Sequence, residues 1–300
     1  MSEWRKLLYD AIPAYSSKLD FPFLRSLLSR IMRSTLKVRD TLYALDLCNC
    51  LNEFEHVRQN FLTALPHAKI HSFIHNYDIH YEVVWSEYLP SDGSYQVLLN
   101  HPTWILDGVL ALDCINKSPF DVQLLAMQLF KIFDPDWEFL ELVNTMKKTS
   151  FSQHERDDLM NKVVDGVHQW KPLLIFPAWD ISVLGKNGQR TDIERKTFAL
   201  RVAELSNKPL IMVYLDIPTD DPFKKLWNWW SSLWVLHAFL HELRTSKDKT
   251  IRIKIRKPVY ASEVLLLVAP DYATGWALRN EDYKLASQVL KRYLYSWILK

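Results

Sequence analysis

Tyr95-Gln96-Val97-Leu98-Leu99-Asn100-His101-Pro102-Thr103-Trp104-Ile105-Leu106-Asp107-Gly108 is the stretch on which the fold turns. A short apolar run stops at Leu99 and polar groups follow at once, the pattern of a buried strand giving way to a loop. Leu173-Leu174-Ile175-Phe176-Pro177-Ala178-Trp179-Asp180-Ile181-Ser182 repeats it. Outward from these two, Ile79 to Val84, Leu210 to Leu215 and Thr250 to Ile255 also read as strands, rich in valine, isoleucine and tyrosine. Stretches at 107–117, 120–132, 136–148, 153–170 and 194–206 read as helices, so the chain alternates as an α/β layered fold requires. Most strand runs are continuously apolar and suit strands covered on both faces. Thr250-Ile251-Arg252-Ile253-Lys254-Ile255-Arg256 alternates instead, which predicts an edge strand with one wet face. Residues 1–76 form a helical lead-in, with Leu7, Leu8, Ile12 and then Phe23, Leu24, Leu27, Leu28 and Ile31 at helical spacing. Residues 77–300 form one α/β unit that closes on a helix from about Asn280 to Lys300.

Composition narrows the function. At 300 residues and 48% hydrophobic the chain buries a large core, and a formal charge of +2 gives no basic field of the kind a nucleic-acid partner needs. Six scattered glycines leave neither a phosphate-cradling loop nor a dinucleotide fingerprint. Cys48, Cys50 and Cys114 make neither a disulfide framework nor a structural zinc set, which points to a reducing cytoplasm. The first residues, Met1 to Asp10, do not follow the basic-then-apolar order of a signal peptide, and no stretch of about 18 uncharged apolar residues occurs. The expected state is soluble or peripheral.

His101 stands six residues before Asp107, and a turn between strand and helix folds such a carboxylate back onto the imidazole, fixing its tautomer for general-base work. Among ten histidines and 35 acids the spacing alone is weak, and a satisfied structural pair is an equal reading. Ligands of open α/β sheets sit at the carboxyl ends of strands, so the two strand ends at His101 and Phe176 make a plausible shared site.

His101-Pro102 with Asp107-Gly108, and Phe176-Pro177-Ala178 with Ser182, resemble the histidine-proline and Phe-Pro-Ala-Gly blocks of the lysophospholipid and glycerolphosphate acyltransferase superfamily. The resemblance is to the branch of ornithine-lipid and hemolysin-like acyltransferases, in which five residues separate the histidine from the aspartate. Tyr81-Glu82 with Leu89-Pro90 and Gly93, then Lys208-Pro209-Leu210 to Tyr214, then Thr250 to Ile255 with Lys257-Pro258 follow in the family's order over residues 79–260. The resemblance implies a mixed, mostly parallel central sheet flanked by helices. It also implies one-step transfer of an acyl group from a thioester to a hydroxyl or amine, with His101 as general base and Asp107 orienting it. Acyl-CoA or a phosphopantetheinyl acyl carrier protein is then a co-substrate, and no cofactor is bound permanently. Asn100, Trp104, Gly108, Phe176, Pro177, Trp179 and Ser182 fall at substrate-binding positions.

Two departures bear on the acceptor. Trp104 and Trp179 stand where the family has glycine, and the second glycine belongs to a loop associated with the acceptor's phosphate. Arg156, the one arginine between the blocks, lacks the setting of the family's phosphate-binding arginine. A lipid-like, amine or alcohol acceptor against an indole wall is expected in place of a simple glycerol phosphate; core filling is the other reading of the two rings. Lys186, Arg190, Arg195 and Lys196 are candidates for the donor's phosphates or a solvated face. His71, His75 and His80 offer an incomplete metal set. Trp227, Trp229, Trp230 and Trp234 within Phe223 to Leu243, and the amphipathic stretch 21–37, suit peripheral contact with the inner face of a membrane, an acyl groove or the core. The rival functions are a non-catalytic lipid- or carrier-binding scaffold and a serine hydrolase, the latter disfavoured because Ser182 lacks the flanking glycines of a nucleophile elbow.

Overall fold

The computed structural model describes residues 56, 59–60, 69–90, 94–103, 105–115, 122–127, 140–143, 153–169, 171–177, 183–184, 190–191, 197–217, 242–247, 249–274 and 277–296. The chain divides into two units, Met1–Asn52 and Glu53–Lys300, and every described residue belongs to the second. Most of the helical lead-in, the stretch 21–37, Cys48 and Cys50 lie outside the described residues.

Helix α1 (Lys69–Asn76) leads into strand β1 (His80–Val84), followed by β2 (Gln96–Leu99), α2 (Leu106–Ile115), β3 (Gln123–Met127) and β4 (Leu140–Val143). Then come α3 (Gln153–His168), β5 (Leu173–Ile175), a ribbon of β6 (Val183–Leu184) and β7 (Arg190–Thr191), α4 (Phe198–Ser206), β8 (Leu210–Asp216), β9 (Thr250–Ile255), α5 (Ala261–Val268) and α6 (Asn280–Tyr295). Seven strands make one sheet in the order β1-β9-β8-β2-β5-β3-β4. Only the β8–β9 pairing is antiparallel, so the sheet is mixed and mostly parallel. It is the α/β architecture that the alternating sequence predicts.

The continuous apolar runs sit at its centre: every residue of β2 and β5 is buried, and β8 is buried up to Asp216. Leu98, Leu173, Ile175, Leu210 and Met212 pack on one face against Val163 and Val167 of α3, Ala199 and Leu200 of α4, and Leu290 and Leu294 of α6. Val97, Leu99, Leu174, Ile211 and Val213 alternate with them and are equally buried, so the opposite face is covered too. Helix α4 buries Ala199, Leu200, Val202, Ala203 and Ser206 at helical spacing and ends at Asn207. Asn207 takes the left-handed conformation (φ 50°), which asparagine tolerates better than most residues. At the head of α6 the Arg279 N–H donates to Asp282 Oδ2 at 2.8 Å, satisfying one backbone donor at the helix start.

Three expectations are corrected. Stretches 120–132 and 136–148, expected as helices, carry strands β3 and β4. Leucine, glutamine, alanine and methionine favour helix in isolation, but Val122 to Leu125 are buried beside β5, and burial in the sheet overrides local preference. Thr250–Ile255, expected at an edge, is the second strand in, with β1 outside it. Its alternating exposure is real and reports one uncovered face, which is a different property from lying at an edge.

Helix α3 approaches the sheet closely at Gly166, where a Cβ would fall on the buried side-chain amide of Gln123. Gly166→Ala should therefore destabilise the protein by about 1–3 kcal/mol through overpacking. In a Gln123→Ala background the clash is gone, and the same change should stabilise, by up to about 1 kcal/mol, through helix propensity. Thermal melts of the four proteins check this reversal of sign.

No helix among the described residues is long and apolar enough to cross a membrane.

Candidate active site

The strand order reverses the sense of connection between the neighbouring strands β2 and β5. From β2 the chain passes through α2 to β3, beyond β5; from β5 it passes through α4 to β8, on the far side of β2. Right-handed crossovers in opposite directions put α2 and α4 on opposite faces. Accordingly α4 packs with α3, α5 and α6, whereas α2 packs with α1. Ligands of open α/β sheets bind where connections diverge in this way, outside the carboxyl ends of the strands. Those ends carry Asn100 and His101 after β2, and Phe176 and Pro177 after β5, in neighbouring parallel strands whose register aligns Leu98 with Ile175.

Asn100 is fully buried and acts as a bracket. Its Nδ2 donates to the Leu215 carbonyl at 3.0 Å and its Oδ1 accepts from the Leu215 N–H at 2.7 Å, extending the β2–β8 ladder by one side chain. These two bonds hold the strand end from which His101 projects.

His101 Nδ1 lies 2.7 Å from Asp107 Oδ2. The imidazole is 16% exposed and the carboxylate 1%. Oδ2 also accepts from the Thr103 N–H at 3.1 Å, and Oδ1 accepts from the Gly108 N–H at 2.8 Å. The Thr103 hydroxyl in turn accepts from the Asp107 N–H at 2.8 Å. Asp107 is the second residue of α2, where the positive end of the helix dipole favours a negative charge. Two backbone donors and the dipole favour an acceptor-only carboxylate, and against such a partner the imidazole is the donor at Nδ1, which leaves its lone pair on Nε2. This arrangement equips His101 to accept a proton at Nε2 while Asp107 steadies the cation that forms.

The Phe176 ring lies against the imidazole, with centroids 4.3 Å apart and planes tilted by 30°. Gly108 borders the same ring: a Cβ there would be 3.9 Å from Phe176 Cε2 and Cζ. His101, Asp107, Gly108 and Phe176 are thus brought together, with Pro177 buried beside them in sequence.

The chain is similar to a solved acyltransferase structure. It is the crystal structure of the 1-acyl-sn-glycerophosphate (LPA) acyltransferase, PlsC, from Thermotoga maritima, at 14% identity, with 99% of this chain and 98% of that chain covered and a TM-score of 0.43. No protein-family model and no curated protein matches the chain. The sheet and the dyad stand on their own strand order, register and distances.

Trp104, Trp179, Ser182, Lys186, Arg195 and Lys196 lie outside the described residues, as do the side chain of Arg190 and most of Phe223 to Leu243. Thr103, absent from the expected site, carries one visible signal: a hydroxyl residue just ahead of a helix start. The metal candidates do not converge. His71 faces Asp113 at 3.6 Å, His80 faces Asp78 at 3.1 Å, and no metal-holding group of three His, Cys, Asp or Glu occurs among the described residues. Cys114 is no ready nucleophile, because burial, and then the neighbouring Asp113, push its thiol up to about 12.

Proposed function

We propose that the chain is an acyltransferase that moves a fatty acyl group from a thioester, acyl-CoA or acyl carrier protein, to a hydroxyl or amine. The observation that carries the reading is the 2.7 Å contact between His101 Nδ1 and Asp107 Oδ2, placed at the diverging carboxyl ends of β2 and β5. The sequence around it supports the same chemistry, since the His-Pro and Phe-Pro-Ala blocks flank the two strand ends.

In this reading the acceptor's O–H or N–H gives its proton to His101 Nε2 as the oxygen or nitrogen attacks the thioester carbonyl carbon. The new C–O or C–N bond forms, the C–S bond breaks, and the imidazolium returns its proton to the departing thiolate. Asp107 stays ionised throughout, held by the Thr103 and Gly108 amides. No residue of the chain is acylated. General-base assistance of this kind supplies about 10² to 10⁴-fold of the rate enhancement.

Trp104 and Trp179, standing where the resembled family has glycine, support an acceptor other than a simple glycerol phosphate. An indole blocks the close backbone approach that a phosphate needs. Arg195 and Lys196 are the residues assigned to the donor's phosphates, and the tryptophan-rich stretch 223–243 to peripheral membrane contact. Assays with a long-chain acyl-CoA and two acceptor classes test the assignment. A long-chain amine or alcohol should exceed lysophosphatidic acid in kcat/KM by about tenfold or more. Preference for lysophosphatidic acid would overturn the acceptor class.

A further inference from the structure

Main-chain pairing between β2 and β8 ends at Leu99 and Val213, and Pro102, which has no N–H, offers no donor for a rung beyond it. Leu215 of β8 is nevertheless buried, so its N–H and C=O need partners. The Asn100 side chain supplies both, donating from Nδ2 to the carbonyl at 3.0 Å and accepting at Oδ1 from the N–H at 2.7 Å. A side-chain amide presents a donor and an acceptor side by side, as a backbone rung does. The contacts inside the dyad are local: Asp107 bonds to His101 and to the Thr103 and Gly108 amides, all within the turn from His101 to Gly108. They fix the two side chains relative to each other. Asn100 instead joins the head of that turn to β8, across 115 residues of chain. On the other side of β2 lies β5, whose Phe176 ring stands 4.3 Å from the imidazole. The height at which the turn leaves the sheet therefore sets where the dyad stands between β8 and β5.

Resting on the acyl-transfer reading, we propose that Asn100 is a positioning residue: by clamping Leu215 it sets the place of the His101–Asp107 pair at the strand ends, so that His101 Nε2 meets the acceptor's proton as the thioester carbonyl is attacked. A misplacement of about 1 Å at a reacting group costs up to about 10²-fold in rate. The role differs from the substrate contact that the sequence suggests for Asn100.

Asn100→Asp makes the clamp titratable. As a neutral acid the new side chain still donates an O–H to the Leu215 carbonyl and accepts the Leu215 N–H; as a carboxylate it sets an oxygen against that carbonyl, and the clamp opens. Burial favours the neutral acid and raises its pKa from about 3.9 by up to about 5 units. The kcat of Asn100→Asp should therefore approach the wild-type value at low pH and fall about tenfold along an alkaline limb that the wild type lacks. Along that limb the KM for the acyl thioester should stay within about twofold and the circular dichroism of the fold should not change. Asn100→Ser serves if the first variant does not fold, and should lower kcat about tenfold at every pH with the same constancy of KM. Absence of the limb, a limb that coincides with unfolding, or a change confined to KM would overturn the proposal, as would an unchanged kcat in Asn100→Ser. The ring current of Phe176 shifts the imidazole protons of His101 in the ¹H NMR spectrum, and that shift should change as the introduced carboxyl titrates. This readout needs no turnover. If the wild type transfers no acyl group and the shift still moves in the variant, acyl transfer fails and the positioning role stands; an unmoved shift overturns the positioning role.

Discussion

His101→Ala should lower kcat/KM for acyl transfer by about 10² to 10⁴-fold while leaving the fold intact. At about 1.36 kcal/mol per decade this is a loss of about 2.7–5.4 kcal/mol of transition-state stabilisation. The structural cost is smaller, because Asp107 keeps its hydrogen bonds from the Thr103 and Gly108 amides when the imidazole is gone. Loss of one hydrogen bond in a partly buried site costs about 0.5–1.5 kcal/mol. Activity and thermal stability should therefore separate clearly. Steady-state kinetics beside a thermal melt check this, and a variant that melts many degrees lower with proportionate activity loss would make His101 a structural residue.

Asp107→Asn should affect activity and stability together. Both carboxylate oxygens accept from backbone N–H groups, Oδ2 from Thr103 and Oδ1 from Gly108. An asparagine amide in either orientation turns an NH₂ donor against one of those N–H donors, in a site that is almost fully buried. The unmade bond costs about 1–3 kcal/mol, and loss of a negative charge at the start of α2 costs up to about 2 more in a buried setting. If the amide nitrogen faces His101, the imidazole accepts at Nδ1 and carries its proton on Nε2, where it no longer serves as base. Activity should fall by a factor comparable to that of His101→Ala. In the double variant the two losses should not multiply, because the residues act as one unit. A measured double-variant loss equal to the product of the singles would mean that the two act independently.

The legible part of the fold was the part governed by burial on both faces. Val97-Leu98-Leu99, Leu173-Leu174-Ile175 and Leu210 to Leu215 offer no polar face, so a central sheet is where they belong, and there they lie. The helices with a clear apolar stripe, α4 and α6, were equally readable. Strands β3 and β4 were not, since Gln123-Leu124-Leu125-Ala126-Met127 and Leu140-Glu141-Leu142-Val143 are made largely of good helix formers and owe their form to neighbouring strands. The alternation of Thr250–Ile255 predicts an edge position that the strand does not occupy, because alternation reports on faces alone.

The site divides along the same line. The approach of Asp107 to His101 follows from local chain geometry over six residues. Thr103 supports it just as locally, and its signal was available. Asn100 clamping Leu215 and Phe176 stacking on His101 join segments 115 and 75 residues apart, which no spacing encodes. They depend on β8 and β5 flanking β2, a fact of strand order.

Thiol release from a fatty acyl-CoA, measured for the full chain and for His101→Ala, with and without an amine or alcohol acceptor, tests the catalytic role of His101 most directly. Acyl transfer through this residue predicts release that requires acceptor, matches ester or amide formed mole for mole, and is lost in His101→Ala. Release without acceptor, or product formation that survives His101→Ala, would contradict it.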